Sequence, residues 1–200
     1  MKRIISLAVL LLMGLNTFSQ IQNTNRNKIL IVLDIQKQFT TTTLSDSSAN
    51  SLIASTNLII NQFKPENVVY IQSIARVLNV SLKGFRVDTL PDLELDQRLN
   101  IVNKNIITKN KADAFSAENL NKFIEKSGLK DIVVIGLMAE HCVKATLLGG
   151  KKKGYSMYYV PEAIAAKTPK GKIKTENKLL KANVKSIPLN NILNSNGTEK

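Results

Sequence analysis

The feature that most constrains the fold is the alternation of short apolar runs with amphipathic helical patterns along most of the chain. The runs at 28–33 and 132–135 are continuous, which is typical of strands covered on both faces. Strands that alternate with helices form right-handed βαβ units, and these give a parallel sheet with helices on both faces. The sequence therefore predicts a single α/β domain with three layers, α-β-α, and a doubly wound sheet.

Most of the elements of this domain can be placed from the pattern of apolar residues. We predict helices at 48–63 and 171–182, a helix that opens near Cys142, and a helix capped by Ser116 that closes at Gly128. The predicted strands are 28–33, 67–73, 105–108, 131–136, 155–160 and 184–189. The segment 74–105 shows at most a short helix at 92–99, and its length suits a substrate-facing excursion.

The N-terminal segment has the parts of a secretory signal peptide. Lys2 and Arg3 precede an apolar run at 4–15, which is too short to span a bilayer. The alternatives are a buried first strand or an uncleaved anchor. We expect a signal peptide at 1–19, a linker at 20–27, the domain at 28–189 and a polar tail at 190–200. This organisation predicts a periplasmic or extracellular protein with no stable membrane insertion after cleavage.

The chain is strongly basic, with a net charge of +13 from 28 Lys+Arg and 15 Asp+Glu. Such a balance attracts nucleic acid or anionic lipid. The lysines are scattered, however, with one run at 151–153, and aromatic residues make up 5% with no Trp to stack on bases. We interpret the charge as a solvated lysine-rich surface and expect no nucleic-acid partner, while attraction to anionic substrates or cell-envelope polymers stays open.

Three reactive residues follow predicted strands: Asp34 and Lys109 come directly after theirs, and Cys142 comes just past the fourth. Open parallel sheets bind ligands beyond the carboxyl ends of their strands, so we expect a carboxylate, an ammonium and a thiol to converge there. A helix N-terminus and a nearby ammonium favour the thiolate. Such a nucleophile attacks a carbonyl carbon and forms an acyl-enzyme that water cleaves, while the carboxylate accepts the thiol proton and backbone N–H groups of the 136–142 turn stabilise the oxyanion.

Each of these residues also has a purely structural interpretation. Cys142, the only cysteine, can be a buried free thiol; Asp34 can be a strand-end turn residue, and Lys109 a solvated lysine. His141 points about 100° away from Cys142 on a helix, so we interpret it as a pocket-wall or surface residue rather than a base. Because it is the only histidine, a His-rich zinc site is disfavoured, and we expect no metal and no other cofactor.

The same residues lie in motifs that resemble those of the isochorismatase-like cysteine hydrolases, the superfamily that includes nicotinamidases and N-carbamoylsarcosine amidase. Residues 34–39 are similar to the family's D-x-Q-x-x-F, and Lys109 with 114–115 resembles its K-x(4)-A-F. Residues 136–155 are similar to G-x(5)-C-V-x(2)-T-x(7)-G-Y, the most specific of the three motifs. The resemblance covers about 28–189 in order and spacing.

The resemblance implies a six-stranded, mostly parallel sheet with the order 3-2-1-4-5-6 and a catalytic triad of Asp34, Lys109 and Cys142. It also implies a cis peptide bond between Leu137 and Met138, with the N–H groups of Met138 and Cys142 as the oxyanion hole. Family members that act as isochorismatases lack the cysteine. Its retention here points to hydrolysis of a small amide or related C–N bond through a thioester, by an enzyme that the N-terminal segment predicts to be secreted.

For the substrate pocket, the resemblance suggests Gln36, Phe39, Phe115 and His141. Nicotinamidases hold a zinc-type metal with an Asp and two His, which a chain with one histidine cannot supply. We expect a small-molecule substrate and a homo-oligomer, either a dimer or a tetramer. The alternative hypothesis is a catalytically silent binding protein of the cell envelope that keeps this fold.

Overall fold

The strands and helices alternate along the chain as the sequence predicts. The computed structural model describes residues 24–74, 76–81, 84–89 and 94–195. Its strands are β1 Ile29–Leu33, β2 Val68–Ser73, β3 Arg76–Ser81, β4 Gly84–Thr89, β5 Ile106–Lys109, β6 Asp131–Leu137, β7 Ser156–Ala165 and β8 Lys185–Ser186. Its α-helices are α1 Lys37–Thr42, α2 Asp46–Ile60, α3 Glu118–Ser127, α4 Lys144–Lys152, α5 Pro169–Lys181 and α6 Leu189–Asn194.

Six of the strands form one parallel sheet, in the order β5-β2-β1-β6-β7-β8. Counted along this sheet alone, the order is 3-2-1-4-5-6, so the expected fold class and strand order are confirmed. The chain leaves β1 towards β2 on one side and later returns to β6 on the other. The order therefore reverses at β1, which places the carboxyl end of β1 at the position where open α/β sheets bind ligands.

Two hydrophobic cores cover the two faces of the sheet. Side chains of β1 alternate between them: Ile29, Ile31 and Leu33 enter one core, while Leu30 and Val32 enter the other. The first core packs under α3, α4 and α5, and the second under α2 and α6. Because each face buries its own set of strand residues, the result is the expected three-layer arrangement.

The packed unit extends beyond the expected bounds of 28 and 189. Asn25 is 2% exposed, and its amide donates hydrogen bonds to the carbonyl of Ile192 at 3.0 Å and to the hydroxyl of Ser195. Ile192 is fully buried on α6, in a stretch expected to be a polar tail. Residues 24–27 and 190–195 therefore belong to the fold. The expected signal peptide at 1–19 lies outside the described residues, as do 20–23 and 196–200.

The segment 74–105 departs most from the sequence-based expectation. β3 and β4 pair as an antiparallel hairpin that stands apart from the large sheet. Residues 94–100 form no helix, unlike the short helix expected at 92–99, whose first two residues lie outside the described part. Instead Leu95 bridges to Gln36, and buried Asp96 accepts a 2.6 Å hydrogen bond from the Thr40 hydroxyl. These contacts hold the segment against α1.

The last strand is shorter than expected. β8 has two residues, whereas the sequence suggested 184–189. Pro188 ends the strand because it has no N–H to donate to a sheet, and it becomes the N-cap of α6. Within the described ranges, no helix is both long and apolar enough to cross a membrane.

Candidate active site

The carboxyl ends of β1, β5 and β6 bring together the three residues that the sequence singled out. The ammonium of Lys109 lies 2.9 Å from Oδ2 of Asp34 and donates a 3.3 Å hydrogen bond to Sγ of Cys142. The side chains of Lys109 and Asp34 are 1% and 3% exposed. Cys142 is a free, partly buried thiol. A carboxylate, an ammonium and a thiol therefore meet at one point of the sheet edge, as expected from the strand pattern.

The backbone at Asp34 is held in an uncommon conformation. Its φ of 56° lies in the left-handed region, which costs free energy for a residue other than glycine. Two hydrogen bonds fix it: the N–H of Asp34 donates to the carbonyl of Ile71 at 2.9 Å, and its carbonyl accepts from the N–H of Gln36 at 2.8 Å. The chain thereby turns out of β1 towards α1 while the carboxylate stays at the end of the sheet.

Close contact between β1 and β6 depends on Gly136. Its φ is +121°, and a Cβ atom built there would lie 2.0 Å from the carbonyl oxygen of Leu33. Only glycine has both the conformational freedom and the lack of a side chain that this position requires. The strands that lead to Asp34 and Cys142 can therefore approach each other directly.

The connection from β6 to α4 places the thiol. The peptide bond between Leu137 and Met138 is cis, as the resemblance implies. A single π-helical turn, Ala139–Val143, follows, and the N–H groups of His141 and Val143 both donate to the carbonyl of Met138 at 3.0 and 3.2 Å. Cys142 therefore lies in a wide turn before the α-helix proper, which begins at Lys144. The N–H groups of Met138 and Cys142, the expected oxyanion hole, belong to this same turn.

Ser73 is a fourth member of the cluster that sequence reasoning missed. Its hydroxyl accepts a 2.7 Å hydrogen bond from the ammonium of Lys109 and donates a 2.9 Å bond to Oδ1 of Asp34. Each of the three protons of that ammonium thus has an acceptor: a carboxylate, a hydroxyl and a sulfur atom. A signal existed, because Ser73 is the last residue of β2, which lies between β1 and β5, and it pairs in register with Lys109.

The electrostatics of the thiol differ from the sequence-based expectation of a favoured thiolate. Burial and the negative charge of Asp34 raise the pKa of Cys142 to about 11, although Lys109 acts in the opposite direction. Desolvation penalises the charged form more than the neighbouring ammonium favours it. At neutral pH the thiol therefore keeps its proton, and any reaction through sulfur needs a proton acceptor. The carboxylate of Asp34, which binds the same ammonium of Lys109 as the sulfur does, is the candidate acceptor.

Two of the residues suggested for the substrate pocket lie inside the fold instead. Gln36 is fully buried, and its amide binds the backbone of Ser73, accepting from the N–H at 2.7 Å and donating to the carbonyl at 3.2 Å. Phe115 is 4% exposed and stacks on Tyr155 with ring centroids 5.6 Å apart. The structure therefore gives Gln36 the task of fixing the end of β2 and Phe115 a place in the first core.

The other two suggested pocket residues are accessible. His141 is exposed on the π-helical turn beside Cys142, which agrees with its interpretation as a wall or surface residue. Phe39 is partly buried and packs against the second core from α1. Both remain candidates for contact with a substrate.

The residues at this edge do not fit a metal centre of the nicotinamidase kind. Among the described residues, no three His, Cys, Asp or Glu side chains are grouped so that they could hold a metal ion. The carboxylate of Asp34 is bound by Lys109 and Ser73. His141 is the only histidine of the chain, and it is exposed.

Comparison with known proteins identifies the family of this chain. The isochorismatase domain model matches residues 28–186. The secreted isochorismatase effector Isc1 of Verticillium dahliae is 23% identical over 142 residues, which are 70% of this chain and 73% of that protein.

Two solved structures share the fold. A cysteine hydrolase from Pseudomonas syringae pv. phaseolicola has a TM-score of 0.68 at 16% identity, covering 86% of this chain and 92% of that one. YcaC from Escherichia coli, described as an octameric hydrolase of unknown specificity, has a TM-score of 0.66 at 14% identity, covering 86% and 80%. Because the domain match spans most of the sequence, the chain belongs to the isochorismatase-like hydrolase family.

Proposed function

We propose that this protein is a cysteine hydrolase that cleaves a small amide or related C–N bond through a thioester acyl-enzyme. One observation carries the proposal: the ammonium of Lys109 lies 2.9 Å from the carboxylate of Asp34 and 3.3 Å from the sulfur of Cys142, at a buried sheet edge. Membership of a hydrolase family supports it, and so does the retention of a cysteine at this position.

The first half of the reaction forms the thioester. The carboxylate of Asp34 takes the proton of the Cys142 thiol as the sulfur attacks the carbonyl carbon of the substrate. The ammonium of Lys109 stabilises the negative charge that moves from carboxylate to sulfur. The N–H groups of Met138 and Cys142 stabilise the oxyanion of the tetrahedral intermediate. Its collapse breaks the C–N bond, and the proton held by Asp34 leaves with the amine.

The second half releases the acid. Water attacks the thioester carbon while Asp34 accepts a proton from it, and the same oxyanion hole stabilises the second tetrahedral intermediate. The C–S bond then breaks, and the proton on Asp34 returns to the sulfur. The carboxylate and the thiol are restored to their starting protonation states, so Asp34 acts as base and acid in turn without a contribution from His141.

The test combines a substrate screen with a substrate-independent measurement. A panel of small amides is assayed for ammonia release by the wild type and by Cys142→Ser, and we expect hydrolysis of at least one amide that the variant abolishes. In parallel, iodoacetamide labelling of Cys142 should be slower in Lys109→Met, which loses the cation that lowers the pKa of the thiol, and faster in Asp34→Ala, which loses the negative charge that raises it. The matched control is Lys104→Met, which alters an exposed lysine two residues before β5. This variant should label at the wild-type rate. Unchanged labelling in both site variants would refute the triad.

A catalytically silent binding protein is the second candidate. The observation that favours it is the raised pKa of Cys142, which keeps the sulfur protonated at rest. Inactivity on the whole amide panel, together with labelling that ignores the Asp34→Ala change, would support this candidate over the hydrolase.

For the setting of the reaction, we propose a periplasmic or extracellular protein with a signal peptide at 1–19, assembled as a dimer or tetramer. The charged and apolar pattern of the N-terminus supports export, and Isc1 is described as secreted. YcaC, described as octameric, supports self-association. N-terminal sequencing of the mature protein should begin at Gln20, and light scattering should give a mass above that of one chain. An intact N-terminus or a monomer would contradict these two points.

A further inference from the structure

The outer side of α5 is the most basic helix surface in the described part of the chain. Seven residues that face solvent define it, and we refer to them as the α5 basic face: Lys170, Ile173, Lys174, Asn177, Lys178, Leu180 and Lys181. Four are lysines and none is acidic. The opposite side of the helix is anchored in the protein by Leu179 and Thr175, which are 0% and 3% exposed. The helix is therefore packed on the protein through one side, and the α5 basic face is exposed on the other.

Two large aliphatic side chains lie among these lysines. Ile173 is 60% exposed and Leu180 is 70% exposed, the highest values among the exposed large hydrophobic residues of the described chain. They are seven residues apart, so they lie two turns apart on the same side of the helix. Exposed aliphatic residues flanked by lysines are typical of helices that lie in the interface of an anionic membrane.

The basic surface continues from α5 to the amino-terminal edge of the sheet. The ammonium of Lys151, at the end of α4, donates to the carbonyl of Ala182 just beyond α5, so the C-terminal ends of the two helices adjoin. Lys185 of β8 and the exposed run 151–153 lie at this same end. The other end of α5 lies near the candidate active site: the N–H of Lys167, two residues before the helix, donates a 2.9 Å hydrogen bond to Glu140 of the π-helical turn that carries Cys142.

We propose that the α5 basic face docks the protein peripherally on a bilayer that contains anionic phospholipids. Lysines gain from the negative surface potential, and Ile173 and Leu180 gain from burial at the boundary of the acyl chains. A nucleic acid fits less well because the face has no aromatic side chain on which bases could stack. A second copy fits less well too, since a two-fold contact through this face would set its lysines against one another.

The experiment measures sedimentation of the protein with vesicles of phosphatidylglycerol and phosphatidylcholine, compared with vesicles of phosphatidylcholine alone. We expect binding to the anionic vesicles only. The double variant Lys170→Glu/Lys174→Glu should lower the partition coefficient about thirtyfold. The matched control, Lys104→Glu/Lys111→Glu, changes the net charge by the same amount at exposed positions outside the face and should bind within about twofold of the wild type.

A second pair of variants tests the aliphatic contribution without any change of charge. Ile173→Ser/Leu180→Ser should bind more weakly than Leu58→Ser, which alters a 47% exposed leucine on α2. All proteins compared share the same N-terminus, so any contribution of the apolar run at 4–15 is common to them. Absence of binding to anionic vesicles, or equal losses in the variants and their controls, would overturn the proposal. So would a mass in light scattering that falls when the α5 basic face is changed, which would identify the partner as a second copy.

Discussion

Asp34 and Asp96 are two buried aspartates with similar partners and different surroundings. They are 2% and 5% exposed, and each carboxylate is bound by one cationic and one hydroxyl side chain. The partners of the two carboxylates are, respectively, Lys109 with Ser73 and Arg98 with Thr40. By burial and by partner type alone, the two clusters would be judged equivalent.

The two clusters differ in the exposure of the cation and in its other contacts. The side chain of Arg98 is 45% exposed and grips Asp96 through two nitrogens, at 2.9 and 2.6 Å, which holds the pKa of that carboxyl well below its usual range. The side chain of Lys109 is 1% exposed and divides its protons between Asp34 and a thiol whose pKa is raised. A buried ion pair therefore marks a candidate catalytic centre only when a nucleophile shares its cation.

The sharpest test of this comparison removes each carboxylate in turn. Asp34→Asn should slow amide hydrolysis by about 10²–10⁴-fold, because the reaction loses the base that takes the thiol proton and later returns it. Asp96→Asn should leave the rate of hydrolysis within about threefold of the wild type, since its cluster holds no nucleophile. The comparison fails if the two variants lose activity equally.

The pH dependence of the thiol gives the next largest effect. With the pKa of Cys142 raised to about 11, the thiolate fraction at neutral pH is small, and labelling of the wild type should rise with this fraction, by up to about tenfold per pH unit, as the pH approaches 11. The folded protein binds this proton more tightly than the unfolded chain does. The thiol therefore contributes stability that is lost as the pH rises from about 9 to about 11.

Denaturant unfolding between pH 9 and pH 11 measures the loss of stability on ionisation of the thiol. The wild type should lose stability more steeply than Cys142→Ser, which has no thiol to ionise. Parallel curves for the two proteins, or a labelling rate that levels off near pH 8, would show that the sulfur is not held protonated.

For the second cluster, the expected loss is one of stability. Asp96→Asn should lower the free energy of unfolding by about 1–3 kcal/mol, because the Thr40 hydroxyl and the backbone N–H of Arg98 lose a charged acceptor. The folded-state pKa of Asp96 is depressed, so its contribution is present above the unfolded pKa of about 4 and is lost as the pH falls below it. Urea unfolding midpoints should differ between wild type and variant at neutral pH and should converge in acid. A difference that stays the same at both pH values would contradict the role of the Asp96 carboxylate.

The smallest effect concerns the two hydroxyls. Ser73→Ala should slow labelling of Cys142 about fivefold, as Lys109 loses one of the three acceptors that orient it, and should shift the pH profile of labelling. Thr40→Val is the isosteric control: it should cost about 1 kcal/mol of stability without any change in that profile. A profile that moves in neither variant would leave Ser73 with a purely structural role.

The parts of the site that could be predicted from the sequence are those that lie at the ends of strands. Asp34, Lys109 and Cys142 each follow an apolar run, and parallel strands carry their ends to one edge. Ser73 follows the same rule but was counted as part of its strand. Gln36 and Phe115 lie in motifs, yet their hydrogen bonds and ring contacts are made with residues distant along the chain, so the motif alone did not reveal that they face inward.

Other features depend on burial that local sequence does not report. The helix position and the lysine predicted a favoured thiolate, whereas desolvation at the folded sheet edge raises the pKa of Cys142. Likewise, residues 94–100 do not form the short helix expected at 92–99, because their order comes from the contact of Asp96 with Thr40, more than fifty residues earlier. Periodicity predicts elements, but it does not predict where a buried polar side chain finds its partner.

Because the chain has a single cysteine, the number of reactive thiols per molecule can be measured directly. A thiol-selective reagent can add one mass increment only, at Cys142, so mass spectrometry of the intact molecule reports the share of molecules whose thiol is chemically intact. Specific activities can then be expressed per competent centre rather than per milligram. Loss through oxidation during purification becomes visible as the unreactive remainder.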